Sequence, residues 1–174
     1  MCGILGIFQR KGGVSGLGNG DLLRLRHRGP DGDGLYHDDY VSLGHVRLSI
    51  IDLTPGGAQP MKYADGRFII TYNGEIYNYL EIKDELSAHG AIFRSTSDTE
   101  VVLAAYAQWG VDCVTHLRGM FAFALWDKQN KLLFLARDRC GEKPLIYYQD
   151  NDRFIFASEF KGLVPILPRL PEID

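Results

Sequence analysis

The chain has few cysteines, no long apolar run and no large surplus of charge, and each shortage removes a class of protein. Its longest uninterrupted apolar runs, Val101 to Ala107 and Met120 to Trp126, are seven residues each, against about twenty for a helix that crosses a bilayer. No membrane span is expected. Nineteen basic residues face 22 acidic ones, for a net charge of -3. No basic field is available to attract a phosphate backbone, so nucleic acid is not an expected partner. The apolar opening Met1 to Phe8 has no basic leader and no cleavage site behind it, which argues against secretion. The three cysteines, Cys2, Cys113 and Cys140, are odd in number and far apart. They cannot all pair, and no C-x-x-C spacing suggests zinc or an iron–sulfur cluster. A reducing cytoplasm is the expected setting.

What is present is an ordinary globular composition. The chain has 174 residues, 45% of them hydrophobic and 24% charged, enough for a domain with a real core. Glycine is unevenly spread, with ten of the 20 in residues 1–34 and five between Gly12 and Gly20. That cluster predicts a mobile loop between a strand at Gly3 to Phe8 and a short helix beginning near Asp21. It does not match a dinucleotide fingerprint, because after Gly16-Leu-Gly18 the glycine required at position 21 is aspartate.

Strand patterns follow at Gly34 to His37, Val41 to Arg47 and Arg67 to Tyr72. Ile76, Tyr79, Leu80, Lys83 and Leu86 then recur at helical spacing, with Gly90 placed to end the helix. Ser97-Asp-Thr-Glu100 is a capping-box pattern opening a second helix that should stop at Gly110. Strands are predicted again at Gly119 to Asp127, Lys131 to Ala136, Pro144 to Tyr148 and Arg153 to Ala157. Strands, two helices and more strands predict two sheets with helices packed outside them. Pro165, Pro168 and Pro171 recur every third residue, so the tail should be extended. The division expected is a domain over 1–164 and a linker over 165–174, in a chain cut from something longer.

Cys2 stands directly behind the initiator. Removal of Met1 would place a thiol and a free α-amine on one residue, and an amine titrating near 7.7–8.0 beside a soft nucleophile is the N-terminal-nucleophile arrangement. Cys2 can equally be a small residue opening a strand. Asn73-Gly74 reads first as a hairpin turn, but the residues from Glu75 onward have helical periodicity. A strand handing Asn-Gly to a helix start would expose a carboxamide beside an unobstructed N–H, two donors able to hold an oxyanion. Arg47 ends an apolar strand and Asp98 sits in the first turn of a helix. Each has a plain structural reading, an exposed strand end and a partner for the helix dipole. Together they offer opposite charges suited to the carboxylate and ammonium of a free amino acid. His27-Arg-Gly-Pro-Asp-Gly32 reads locally as a turn, and His27 and His45 as structural.

Six motifs occur in order: Met-Cys-Gly-Ile-Leu-Gly-Ile-Phe8, His27-Arg-Gly-Pro-Asp31, His45-Val-Arg-Leu-Ser-Ile50, Tyr72-Asn-Gly-Glu-Ile-Tyr-Asn78, Ser97-Asp-Thr-Glu-Val101 and Gly119-Met-Phe-Ala-Phe-Ala124. With them the chain resembles, from Cys2 to about Leu163, the glutaminase domain of class II glutamine amidotransferases of the asparagine synthetase type. The resemblance implies an α+β fold, a four-layer α/β/β/α sandwich of two mainly antiparallel sheets. It implies hydrolysis of glutamine to glutamate and ammonia through a Cys2 γ-glutamyl thioester. Asn73 and Gly74 would form the oxyanion hole, Arg47 would bind the substrate carboxylate and Asp98 its ammonium. Leu48, Ile50, Ile51 and Glu75 would complete the glutamine pocket. No metal or cofactor is implied for this half-reaction, while ATP and magnesium would belong to a synthetase domain absent from the chain. L-glutamine and that domain are the implied partners, and a homodimer is compatible with the family.

Arg47-Leu-Ser-Ile-Ile-Asp-Leu53 resembles the synthetase form rather than the hexosephosphate or phosphoribosyl amidotransferases, and Ala157-Ser-Glu-Phe-Lys161 resembles the stretch that leads into an ATP-dependent domain. Three features depart from the family: the Gly-rich loop before His27, Cys140 and Ile146 where the family more often has an aromatic and a tyrosine, and the absent ATP-binding and acceptor domain. Rival readings are another amidotransferase subtype and a non-catalytic glutamine-binding domain.

Overall fold

The computed structural model describes residues 1–168. The order of elements is β1 (Gly3–Gln9), α1 (Asn19–Leu23), β2 (Gly32–His37), β3 (Val41–Arg47), β4 (Met61–Tyr63) and β5 (Phe68–Ile76). The chain continues with α2 (Tyr79–Ala88), α3 (Asp98–Trp109), β6 (Gly119–Asp127), β7 (Leu132–Arg137), β8 (Ile146–Gln149), β9 (Arg153–Ala157) and α4 (Phe160–Leu163). The strands form a five-stranded sheet in the order β2-β3-β1-β9-β8 and a four-stranded sheet in the order β4-β5-β6-β7. Every pairing is antiparallel.

Side chains alternate across a strand, and here the alternation separates three cores. Ile4 turns inward to a cluster with Val41, Leu43, Ile69, Ala122, Ala124, Trp126 and Phe156, drawn from both sheets. Leu5 turns the other way, to Leu22 and Leu25 around α1 and to Leu163 of α4. The outer face of the second sheet sends Ile70, Tyr72, Phe121, Phe123 and Leu125 against Ile82 and Leu86 of α2 and Val102 and Ala105 of α3. Three apolar interfaces define four layers. The sandwich expected from the sequence is the one observed.

Local expectations hold for most elements, and four need correction. β5 does not stop at Tyr72. It runs to Ile76, with Asn73 opposite Ala122 and Gly74 opposite Phe121 of β6, so Asn73-Gly74 lies inside a strand and α2 starts only at Tyr79. Ile76 fits the helical spacing because it is buried in the same core as Ile82 and Leu86 of α2, although its own backbone is still strand. At α3, Ser97 caps Thr99 N–H at 3.2 Å, but the capping box is not closed. Glu100 instead accepts from the N–H of Arg94 at 2.9 Å and of Ser95 at 2.7 Å, tying down the approach to the helix. The glycine-rich loop is anchored, with Gly13 N–H on Asp39 at 3.0 Å and Leu17 N–H on Ser42 at 2.9 Å, and Leu17 itself is buried. Lastly, Pro165 sits in a 3-10 turn over Val164–Ile166 directly after α4, because Pro is tolerated in a first helical turn. Residues 169–174 of the expected linker lie outside the described residues.

Candidate active site

Antiparallel pairing of β1 with β3 puts Gly3 opposite Val46. Cys2, one residue before β1, therefore meets the chain as it leaves Arg47 at the end of β3. The Cys2 thiol sits 3.4 Å from Leu48 N–H as acceptor and 3.6 Å from Leu48 C=O as donor. From the second sheet, the far half of β5 supplies Asn73, Gly74 and Glu75. From α3 comes Asp98. All nine residues expected from the sequence (Cys2, Arg47, Leu48, Ile50, Ile51, Asn73, Gly74, Glu75 and Asp98) line one cleft at the meeting of the two sheets.

Two hydrogen-bond donors without a protein partner belong to residues that line that cleft. Asn73 is 1% exposed, yet its Nδ2 has no protein partner, an expensive arrangement for a buried amide. The second donor follows from strand parity. β4 pairs with β5 only at Phe68, Ile69 and Ile70, which leaves the rest of that edge of β5 open. Tyr72 N–H donates to Gln59 Oε1 at 2.7 Å and Ile76 N–H to Asp98 Oδ2 at 3.1 Å. Successive residues of a strand direct their N–H groups to opposite sides, so Gly74 N–H faces the same open edge, between those two. Position 74 also has to be glycine: a Cβ there would stand 2.5 Å from Met120 C=O and 2.8 Å from Phe121 Cα.

The charged pair is held from behind. Asp98 is buried, and its Oδ2 accepts from Tyr72 O–H at 2.7 Å and from Ile76 N–H. Burial pushes its carboxyl above the usual range, against those hydrogen bonds. The Arg47 guanidinium is oriented by carbonyls, with Nη1 on Thr54 at 3.0 Å and Nη2 on Asp52. It passes so close to Gly57 that a Cβ there would collide with Nη2.

Several supports were not singled out by the sequence. Asp52 is buried and accepts from Thr54 N–H at 2.8 Å, Thr54 O–H at 2.6 Å and Thr96 N–H at 3.2 Å. The Thr54 hydroxyl is the chief reason its carboxyl falls to about 2. One carboxylate thus fastens the Arg47 loop to the entry of α3. Gln59 closes the open edge of β5 and reaches Thr99 Oγ1 at 3.2 Å. The 27–31 turn is a platform. Arg28 Nε donates to Cys2 C=O at 2.9 Å, and its Nη1 meets Glu159 at 2.5 Å. Asp31 accepts from Ser49 N–H at 2.8 Å. Asp52 to Thr96, Gln59 to Thr99, Arg28 to Cys2 and Arg28 to Glu159 span 44, 40, 26 and 131 positions of the chain, and no local pattern announces those contacts.

Both histidines are placed as the sequence suggested. His27 bonds Glu159 at 3.0 Å. His45 is fully buried, bonds Tyr72 C=O at 3.2 Å and is pushed down to about 3, first by desolvation. Cys140 is exposed, and Ile146 takes part in the small core around α1 and α4. Burial also pushes the Cys2 thiol up, more than Leu48 N–H and Arg47 lower it. Its hydrogen-bond partners among the described residues are the main-chain groups of Leu48, so no side-chain base touches it. Among the described residues no group of three or more His, Cys, Asp or Glu could hold a metal ion, and no helix is long and apolar enough to cross a membrane.

Cys2, Asn73, Gly74 and the oppositely charged Arg47 and Asp98 thus meet where the two sheets of an α+β sandwich join. The family model described as "Glutamine amidotransferase domain" matches residues 1–174, and the chain belongs to that family. It is 46% identical over 169 residues to asparagine synthetase [glutamine-hydrolyzing] 1 of Bacillus subtilis, covering 94% of this chain and 27% of that relative. It is 41% identical over 187 residues to a putative asparagine synthetase [glutamine-hydrolyzing] 2 of Methanocaldococcus jannaschii, covering 95% of this chain and 35% of the relative. The chain thus spans about a quarter to a third of the length of these relatives. Its fold is similar to that of the glutamine phosphoribosylpyrophosphate amidotransferase of B. subtilis, with a TM-score of 0.75 at 22% identity over 92% of this chain and 42% of the other.

Proposed function

We propose that the domain hydrolyses L-glutamine to glutamate and ammonia, with Cys2 as nucleophile. The orphaned Asn73 Nδ2, set beside Gly74 N–H at the open edge of β5, carries this reading. A buried amide nitrogen without a partner costs stability, and the cost has a purpose if an oxyanion takes the place of that partner.

The rest follows from charge. Arg47 binds the α-carboxylate and Asp98 the α-ammonium, while Leu48, Ile50, Ile51 and Glu75 line the pocket around them. This places the side-chain amide toward Cys2. Burial pushes the thiol up, which disfavours the thiolate, so attack is helped by a base within reach. Removal of Met1 frees the Cys2 α-amine, the group best placed to accept the proton. The thiol sulfur then bonds to the amide carbon, the carbonyl becomes an oxyanion held by Asn73 and Gly74, and its collapse expels ammonia with the transferred proton. Water attacks the γ-glutamyl thioester by the same path, releasing glutamate and restoring the thiol.

The synthetase-type relatives and the Arg47-to-Leu53 segment support a larger role: ammonia passed to an ATP-dependent synthetase domain, with ATP and magnesium used there and not in this cleft. The glutaminase half draws on no metal or cofactor, and its setting is the cytoplasm. The test is ammonia and glutamate release by protein whose N-terminus has been sequenced. Protein beginning at Cys2 should turn over. Cys2→Ala should bind glutamine without hydrolysing it, and protein proven to retain Met1 should be nearly inactive, because its base has become an amide. Normal turnover by the Met1-bearing form refutes the α-amine as base.

A further inference from the structure

Two charged residues of the cleft have no part in the proposed reaction: Asp52, whose carboxylate is taken up by Thr54 and Thr96, and Lys143. Lys143 is 6% exposed and lines the same cleft as Cys2, Asn73 and Asp98. Its Nζ donates to Met1 Sδ at 3.4 Å, and no carboxylate lies within 4 Å of it among the described residues. A thioether is a weak acceptor. Burying an ammonium against one costs stability that an apolar side chain would not. The group is nevertheless delivered there with care. Asp138 gathers four N–H groups, from Phe121, Cys140, Glu142 and Lys143, at 3.3, 3.1, 2.9 and 3.0 Å. Arg137 Nε adds a bond to Lys143 C=O at 2.7 Å, and Gly141 takes a φ of +67° to close the turn. The 138–143 loop is built to hold residue 143 in one place.

That place adjoins the residue to be removed. Met1 Sδ is a single side chain away from the amide nitrogen that becomes the α-amine of Cys2. We propose that Lys143 is a positioning residue for this amine: its buried ammonium faces the amine across the space left by Met1, disfavours the amine's protonation and so keeps it a free base at neutral pH. The proposal rests on Cys2 and its amine acting as assigned above.

The electrostatics of the cleft set the sign. An amine of reference pKa about 7.7–8.0 is mostly protonated at neutral pH and cannot accept the thiol proton until it is free. Asp98 and Glu75 line the same cleft from α3 and β5 and favour the protonated form, as does Asp52, whose carboxylate is already hydrogen-bonded by Thr54 and Thr96, whereas Arg47 of β3 opposes it. Arg28 lies on the Cys2 carbonyl, its charge offset by Glu159, which His27 also contacts. When glutamine binds, Arg47 is engaged by the substrate carboxylate and Asp98 by its ammonium. Lys143 is then the cation left to counter Glu75. A neighbouring positive charge lowers the pKa of an amine, and each unit of lowering gives up to about tenfold more free base at a pH below both values.

The measurement is kcat for glutamine hydrolysis, which reports the groups in the glutamine complex, from about pH 5.5 to 9. It compares wild type, K143M and K143R, each shown by mass spectrometry to begin at Cys2. K143M removes the charge and keeps most of the volume, so its acid limb should move up by about 0.5–1 pH unit, with rates about 3–10-fold lower at pH 6.5 that converge with wild type at high pH. K143R should keep the wild-type limb. A K143M limb at the wild-type position overturns the proposal, and so does a uniform loss at every pH, which would mark a structural role. If K143M does not fold, K143Q takes its place under the same criteria. A processed wild type that releases no glutamate refutes the glutaminase reading instead. The pH dependence of Cys2 alkylation by iodoacetamide, which needs no glutamine, then decides on Lys143 by the same shift or its absence.

Discussion

Asn73→Ala separates catalysis from folding because the fold makes no use of the amide nitrogen it removes. An unpaired buried donor costs about 1–3 kcal/mol, and Asn73 Nδ2 is such a donor in a side chain 1% exposed. Truncation to alanine abolishes that cost and creates a small cavity, two effects of opposite sign. The net change in stability should be within about 1 kcal/mol, or about 2–4 °C in Tm for a chain of this size. Catalysis should respond very differently. An oxyanion donor is strongest once charge has developed, and losing one typically lowers kcat by about 100–1,000-fold, or about 3–4 kcal/mol. KM should move little, because the ground-state amide oxygen carries no full charge. Initial rates of glutamate release on N-terminally verified protein, together with a thermal melt, make the comparison. A variant that keeps its kcat and loses affinity, or whose Tm falls by more than about 10 °C, would refute the oxyanion assignment and make Asn73 a packing residue.

Asp98→Asn keeps an acceptor for Tyr72 O–H and Ile76 N–H while removing the charge, so KM should rise about 10- to 100-fold with a smaller loss in kcat, as expected for a hydrogen bond to a charged group. The same kinetic assay checks it, and an effect in kcat alone would contradict the ammonium clamp. Asp52→Ala should raise KM through Arg47 and lower Tm, because it releases Thr54 and Thr96 together. The Asp52 carboxylate is held low, so its contribution to stability is complete above the ordinary aspartate value of 3.8 and is lost as pH falls through about 2. Acid melts of wild type should accordingly lose more stability over that window than melts of Asp52→Ala, and parallel curves would remove Asp52 as the fastening point.

The amino-acid order was enough for the elements written as short apolar runs between turn residues or opened by a local cap. β1, β3, β6 and α3 fall where apolar runs, apolar spacing and Ser97 place them, and Cys2, Arg47 and Asp98, picked out by residue type and by the order of the six motifs, do line one cleft. What local pattern could not settle is where the chain pairs with distant residues. Asn73-Gly74 has the dipeptide chemistry of a turn, yet nine residues of β5 pair with β6 across it, and tertiary pairing overrides a local preference worth only a few tenths of a kcal/mol to about 1 kcal/mol. Glu100 completes a capping box in sequence but is drawn to Arg94 and Ser95, because the folded approach to α3 presents it with two N–H groups and a hydroxyl. The supports behind the site were invisible for the same reason. Arg28 reaches Cys2, Asp52 reaches Thr96 and Lys143 reaches Met1 across separations of 26, 44 and 142 residues. Residue type determined which groups can do chemistry; only the closing of two sheets over one another determined which of them meet, and which are left, like Asn73 Nδ2, buried without a protein partner.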